Sequence, residues 1–162
     1  MRINGLYFAT CALWLHTTHA LLEERFVSFT AGNSSLDIAG AIILADPGDA
    51  VGIHIALKSL VDDLEQITGT RPLYQNHTAN STLLDITSSI IVGSVGSSLI
   101  QSLSARGILN VSEVAGKWEV FQTAVVENPF AGIQRALVIT GSDKRGTTFG
   151  VHTLAEQSGQ SP

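Results

Sequence analysis

The stretch "IAGAIILADPGDAVGIHIALKSLVDDLEQITG", residues 38–69, constrains the fold of this chain more than any other. Its opening run, 38–45, is apolar without a break, which marks a buried strand. "DPGD" ends that run. Asp46 or Asp49 is placed to cap a following helix, and Pro47 is acceptable in a first turn. In that helix Ile53, Leu57, Leu60, Leu64 and Ile67 recur at spacings of three and four and line one face. Lys58, Asp62, Asp63 and Glu65 lie mostly off the stripe. Gly69 suits a left-handed C-terminal cap.

The remaining elements follow the same signals. "ERFVSF" at 24–29 alternates and reads as an edge strand, and "RPLY" at 71–74 starts another short one. Residues 75–87 are polar and read as an exposed loop. "SIIVG" at 89–93 is a short buried strand, and a helix over 99–105 is closed by Gly107. "WEVFQTAVV" at 118–126 alternates as a strand does, with Trp118 facing the core. "ENPFAG" is a turn, 135–140 is a strand, and a last helix carries Val151, Leu154 and Ala155 as its apolar stripe, ended by Gly159 and Pro162. The order is strand, strand, helix, strand, helix, strand, strand, helix. This is an α/β fold with a mixed β-sheet and about three helices. The two strands around "ENPFAG" are antiparallel, because so short a turn cannot make a parallel crossover. A chain of 162 residues is expected to form one domain.

The N-terminus stands apart. Arg2 precedes an apolar run over 6–15, and Thr18, His19 and Ala20 supply the small-residue pattern read by a signal peptidase. Residues 1–20 are therefore expected to be a signal peptide cleaved after Ala20, leaving 21–162 as the α/β domain. The apolar run spans only about ten residues against roughly 20 for a membrane span, so no membrane association is expected after cleavage. Cys11, the single cysteine, would leave with it, and with it any disulfide or thiolate ligand. Sequons at Asn33, Asn76, Asn80 and Asn110 agree with a secreted glycoprotein. The net charge of -5 and pI near 5.4 disfavour nucleic acid, since no basic face replaces phosphate counterions.

"ALVITGSDKRGTTFG" at 136–150 joins the last strand to the last helix. Gly141 and Gly146 have the spacing of a phosphate-binding P-loop, but Thr147 stands where that motif needs lysine. The pair Gly93 and Gly96 lacks the third glycine of a dinucleotide fingerprint. Lys144 and Arg145 beside a helix N-terminus suit an anion, including a sugar carboxylate. The alternative is that Asp143 caps the turn while Lys144 and Arg145 point to water. His54, His77 and His152 lie on different elements without ligand spacing, so neither metal nor cofactor is expected. Asp62, Asp63 and Glu65 read as a solvated helix face, and no serine sits in a Gly-x-Ser-x-Gly elbow. The residues show no self-sufficient active site.

"GKWEVFQTAVVENPFAGIQRALVITGSDKRGTTFGVHTLAEQSGQSP" resembles the end of the N-terminal domain of glycoside hydrolase family 115, the xylan α-1,2-glucuronidases. "IIVGSVGSSLIQSL" and "GIHIALKSLVDDLEQITG" resemble the same domain further upstream, so the likeness runs over 26–162. Its most specific parts are Gly116, Lys117, Trp118 and Glu119, the turn from Gly141 to Gly146, and Glu156 with Gln157. The resemblance implies a secreted, non-catalytic α/β domain that precedes a catalytic barrel. Family members remove (4-O-methyl-)glucuronic acid from xylan with inversion, using acids supplied by the barrel. No catalytic residue is then expected in this chain, and its partner is the missing barrel of the same protein. Contact with glucuronoxylan would run through Asp143, Lys144 and Arg145, with Lys144 or Arg145 on the uronate carboxylate. Ser158 and Gln160 are polar where the family pattern is apolar. The competing assignment is a stand-alone secreted carbohydrate-binding module.

Overall fold

The computed structural model describes residues 26–28, 35–81 and 85–159. The expected signal peptide with Cys11 and Ala20, the sequon at Asn33, and Gln160 lie outside those residues. The elements in chain order are β1 (Ile42–Ala45), α1 (Val51–Thr68), β2 (Tyr74–Asn76), β3 (Ile86–Ser94), α2 (Ser98–Ala105), β4 (Phe121–Glu127), β5 (Ile133–Gly141) and α3 (Lys144–Gln157). The sheet runs β2-β1-β3-β5-β4. The first four of these strands are parallel, and β4 pairs antiparallel with β5 across the expected hairpin. The mixed α/β sheet with three helices is thus as expected from the sequence.

Both faces of the sheet are covered, which explains the unbroken apolar runs. Ile43, Ala45, Ile90, Val92, Leu137 and Ile139 share one core with α1 and α3. Their neighbours Ile42, Leu44, Ile91, Ala136 and Val138 share the other with Leu99, Ile100 and Leu103 of α2. A strand buried on both sides needs apolar residues at odd and even positions alike. Gly69 and Gly107, at φ 71° and 69°, take the left-handed conformation that their places after α1 and α2 call for. No described helix is long and apolar enough to cross a membrane.

Several local expectations are corrected. Residues 26–28 are not in the sheet: the Phe26 N–H donates to Gln157 Oε1 at 2.9 Å, and Phe26 and Val27 pack on the α1/α3 core. The outer place is taken by β2, which pairs with β1. The run 38–45 forms a strand only from Ile42, because Gly40 turns at φ 70°. The N-cap of α1 is Ala50, with no side-chain cap; neither Asp46 nor Asp49 fills that role. The loop expected at 75–87 is strand at both ends. It also holds a buried residue, His77, although Asn76 and Asn80 within it and Asn110 elsewhere are exposed.

His77 is 1% exposed, its ring lies edge-on to Phe130 at 5.4 Å, and neither ring nitrogen has a partner among the described residues. Burial holds its pKa below the ordinary 6.5. The unfolded chain therefore takes up this proton first, so stability is full above about 6.5 and declines as pH falls toward the folded value. His77→Leu should flatten that part of a melting-temperature profile. It should cost nothing at pH 7.5, because two orphaned nitrogens leave the interior.

Candidate functional site

Ligands of open parallel sheets sit at the carboxyl ends of the strands. Here the turns after β1, β3 and β5 meet that edge, and the chain's own carboxylates occupy two of them. Asp46 Oδ2 accepts from the Ser98 N–H at 2.6 Å and from the Ser98 hydroxyl, while Oδ1 accepts from the Gly48 N–H at 2.8 Å. Asp49 Oδ2 accepts from the Ser94 N–H at 2.8 Å and Oδ1 from the Ser94 hydroxyl at 3.0 Å. A Cβ on Gly93 would stand 2.5 Å from Ser97 Oγ, so the turn after β3 is closed as well. Burial pushes the Asp46 carboxyl up. The Ser98 hydroxyl and the N–H groups of Gly48, Ser98 and Leu99 outweigh it and hold the pKa below 3.8.

The turn after β5 is organised in the same way. Asp143 caps α3: its Oδ1 accepts from the N–H groups of Arg145 at 2.8 Å and Gly146 at 2.9 Å. Its Oδ2 accepts from the Glu119 N–H at 3.0 Å. The bonds from Gly146 and Glu119 lead in holding this carboxyl below its usual range. The amides at the helix start that would meet an incoming anion are therefore already engaged. The Arg145 guanidinium pairs with Glu119 at 2.7 Å. Lys144 is exposed and forms no ion pair among the described residues.

The two glycines of that turn are a packing requirement. A Cβ on Gly141 would lie 2.0 Å from Thr147 N, and one on Gly146 would lie 2.2 Å from the Val120 carbonyl oxygen. The chain's own backbone fills the space beside both glycines. Among the described residues no group of three or more His, Cys, Asp or Glu side chains is placed to hold a metal ion. His54 bonds through Nδ1 to the Tyr74 hydroxyl, and His152 is exposed on α3.

One exposed feature escaped the sequence. Trp118 was expected to face the core as the first residue of a strand, but β4 starts at Phe121 and Trp118 is 79% exposed. The physical reason is the backbone around it. Gly116 at φ 73° and Glu119 at φ 54° both turn left-handed, so the chain reverses before the strand begins. Leaving so large a ring in water forgoes roughly 2–3 kcal/mol of burial. The left-handed non-glycine residue beside it was the only other signal, and no residue pattern announces it.

No family model matches the chain, and no curated protein matches it. Among solved structures, one likeness is to BtGH115A, described as a family GH115 4-O-methyl-alpha-glucuronidase with specificity for decorated arabinogalactans. It has a TM-score of 0.56 and 24% identity, and covers 75% of this chain and 14% of that one. A second, CpGH84D, has a TM-score of 0.47 and 14% identity over 75% of this chain and 18% of that one. The chain thus spans less than a fifth of the length of either structure. The first likeness is one of fold.

Proposed function

We propose that this chain is the N-terminal, non-catalytic α/β domain of a secreted glycoside hydrolase related to the xylan α-1,2-glucuronidases. The observation that carries the reading is the likeness of fold to a 4-O-methyl-alpha-glucuronidase, which covers 75% of this chain and only 14% of that larger one. A second observation supports it. The two segments most specific to the family resemblance, 116–119 and 141–146, pack on one another: Glu119 bonds Asp143 through its backbone and Arg145 through its carboxylate. An inverting hydrolase needs an acid held protonated near neutral pH, and Asp46 and Asp143, both shifted the other way, are not suited to that role. In this reading residues 1–20 direct export, and Asp143 and Arg145 serve the loop that docks on α3 before they serve any substrate.

The transcript encoding this chain tests the proposal. Its reading frame should continue past Pro162 for several hundred residues; an in-frame stop there would sink the assignment to a larger enzyme. In parallel, the purified chain incubated with glucuronoxylan should release no 4-O-methylglucuronic acid, measured by anion-exchange chromatography. Release above the level of a heat-inactivated control would place catalysis inside this domain.

A further inference from the structure

We infer that Trp118 is a saccharide-stacking residue, its indole receiving the apolar face of a sugar ring while the Glu119–Arg145 pair beside it meets the ring's hydroxyl groups. The choice of a sugar as ligand rests on the proposed function; the built character of the loop does not. The ring is 79% exposed, yet the backbone on both sides of it is fixed. Lys117 N–H donates to the Val114 carbonyl at 3.1 Å, Glu119 N–H to Asp143 at 3.0 Å, and Val120 N–H to the Ser142 hydroxyl at 3.2 Å. Ser142 N–H returns a bond to the Val120 carbonyl at 2.9 Å. Glu119 is held in a left-handed conformation by Asp143 at its N–H and by Arg145 at its carboxylate. The indole thus stands on a fixed backbone without being packed, so binding need not order the loop that carries it.

The surroundings decide between occupants. A protein-docking hot spot lies in an apolar patch depleted of charge. Trp118 instead has Lys117 and Glu119 as its neighbours in the chain, with Arg145 on Glu119. A sugar ring, with C–H groups on its face and hydroxyls at its rim, fits one aromatic platform among donors and acceptors. The N-terminus of α3 is no part of the site, since Asp143 already takes its amides.

Affinity electrophoresis of the full chain in gels containing glucuronoxylan or arabinogalactan provides the test. The wild type should be retarded by at least one of them. Trp118→Ala should run as in a gel without polysaccharide, with a dissociation constant raised at least about tenfold, or about 1.4 kcal/mol. Trp118→Phe should keep part of the retardation. Absence of retardation in both gels, or equal retardation of the alanine variant, would overturn the inference. Because the ring is exposed, Trp118→Ala should melt with the wild type. If it does not, titration of the wild type with oligosaccharides of the polysaccharide that retards it must shift the Trp118 indole N–H resonance, assigned with Trp118→Phe; an unmoved resonance also overturns the inference. Trp118-dependent retardation by arabinogalactan alone would keep the stacking site and remove xylan as the substrate. Loss of the stacking site would leave the domain assignment to be decided by the reading frame.

Discussion

Gly141→Ala is expected to lower the stability of the domain by about 3 kcal/mol or more, at or beyond the top of the range for overpacked sites. The added Cβ would fall 2.0 Å from Thr147 N and 2.6 Å from both Gly146 C and Thr147 Cα. These are backbone atoms, so no side-chain rotation relieves the clash. The first turn of α3 must lift off β5, and with it the buried face formed by Gly146, Thr147, Gly150, Val151, Leu154 and Ala155. For a domain of this size each kcal/mol moves the melting temperature by roughly 3–5 °C, so a drop of about 10 °C or more should appear in thermal denaturation. Gly146→Ala should behave alike, since its Cβ meets the Val120 carbonyl oxygen at 2.2 Å. Gly52→Ala supplies the contrast. It lies exposed on α1 with nothing within 4 Å of its Cβ, and should be neutral or gain about 0.5–1 kcal/mol. If Gly141→Ala melted within a few degrees of wild type, the packed turn described above would be wrong.

These glycines show where the sequence is legible and where it misleads. The spacing of Gly141 and Gly146 reads as an invitation to a phosphate, but spacing cannot distinguish a loop opened for a ligand from one closed by its own backbone. The parallel strands β1, β3 and β5 are legible because burial on two faces removes polar residues from both parities. β2 is legible only in part: a short strand is expected to start within 71–74, but Gln75 and Asn76, which read as loop, join Tyr74 in a strand by bonding to the edge of β1. The cap at Asp143 is readable, as an aspartate before a helix is the preferred residue there. Asp46 and Asp49 misled for the same reason: each precedes α1, yet they bond Ser98 and Ser94, separated from them by 52 and 45 residues. Local preference cannot see such partners. Trp118 failed by parity. Alternation assigns faces only while the backbone stays extended, and the left-handed Glu119 breaks it.

Asp46→Ala should cost about 2–3 kcal/mol at pH 7, the worth of hydrogen bonds made to a charged, buried acceptor. Asp46 is 7% exposed and ties the end of β1 to the first turn of α2. Its removal leaves the Ser98 N–H and hydroxyl without their acceptor, so α2 should fray at its start and exchange its first amides faster. Asp46→Asn separates charge from shape. The folded pKa of Asp46 is depressed, so its stabilisation is present above the unfolded value near 3.8 and is lost as pH falls through the folded value. The gap in melting temperature between wild type and Asp46→Asn should therefore be constant above about pH 5 and narrow below pH 3.8. It should not account for the whole acid limb, because Asp143 is depressed in the same direction and survives in the variant. The decline attributed to His77 begins near pH 6.5 and belongs to a different window, which the Asp46→Asn profile should retain unchanged. A gap that widened on acidification would mean that the Asp46 carboxyl binds its proton more tightly in the folded chain, and the reading of this edge as one closed by carboxylates would fail.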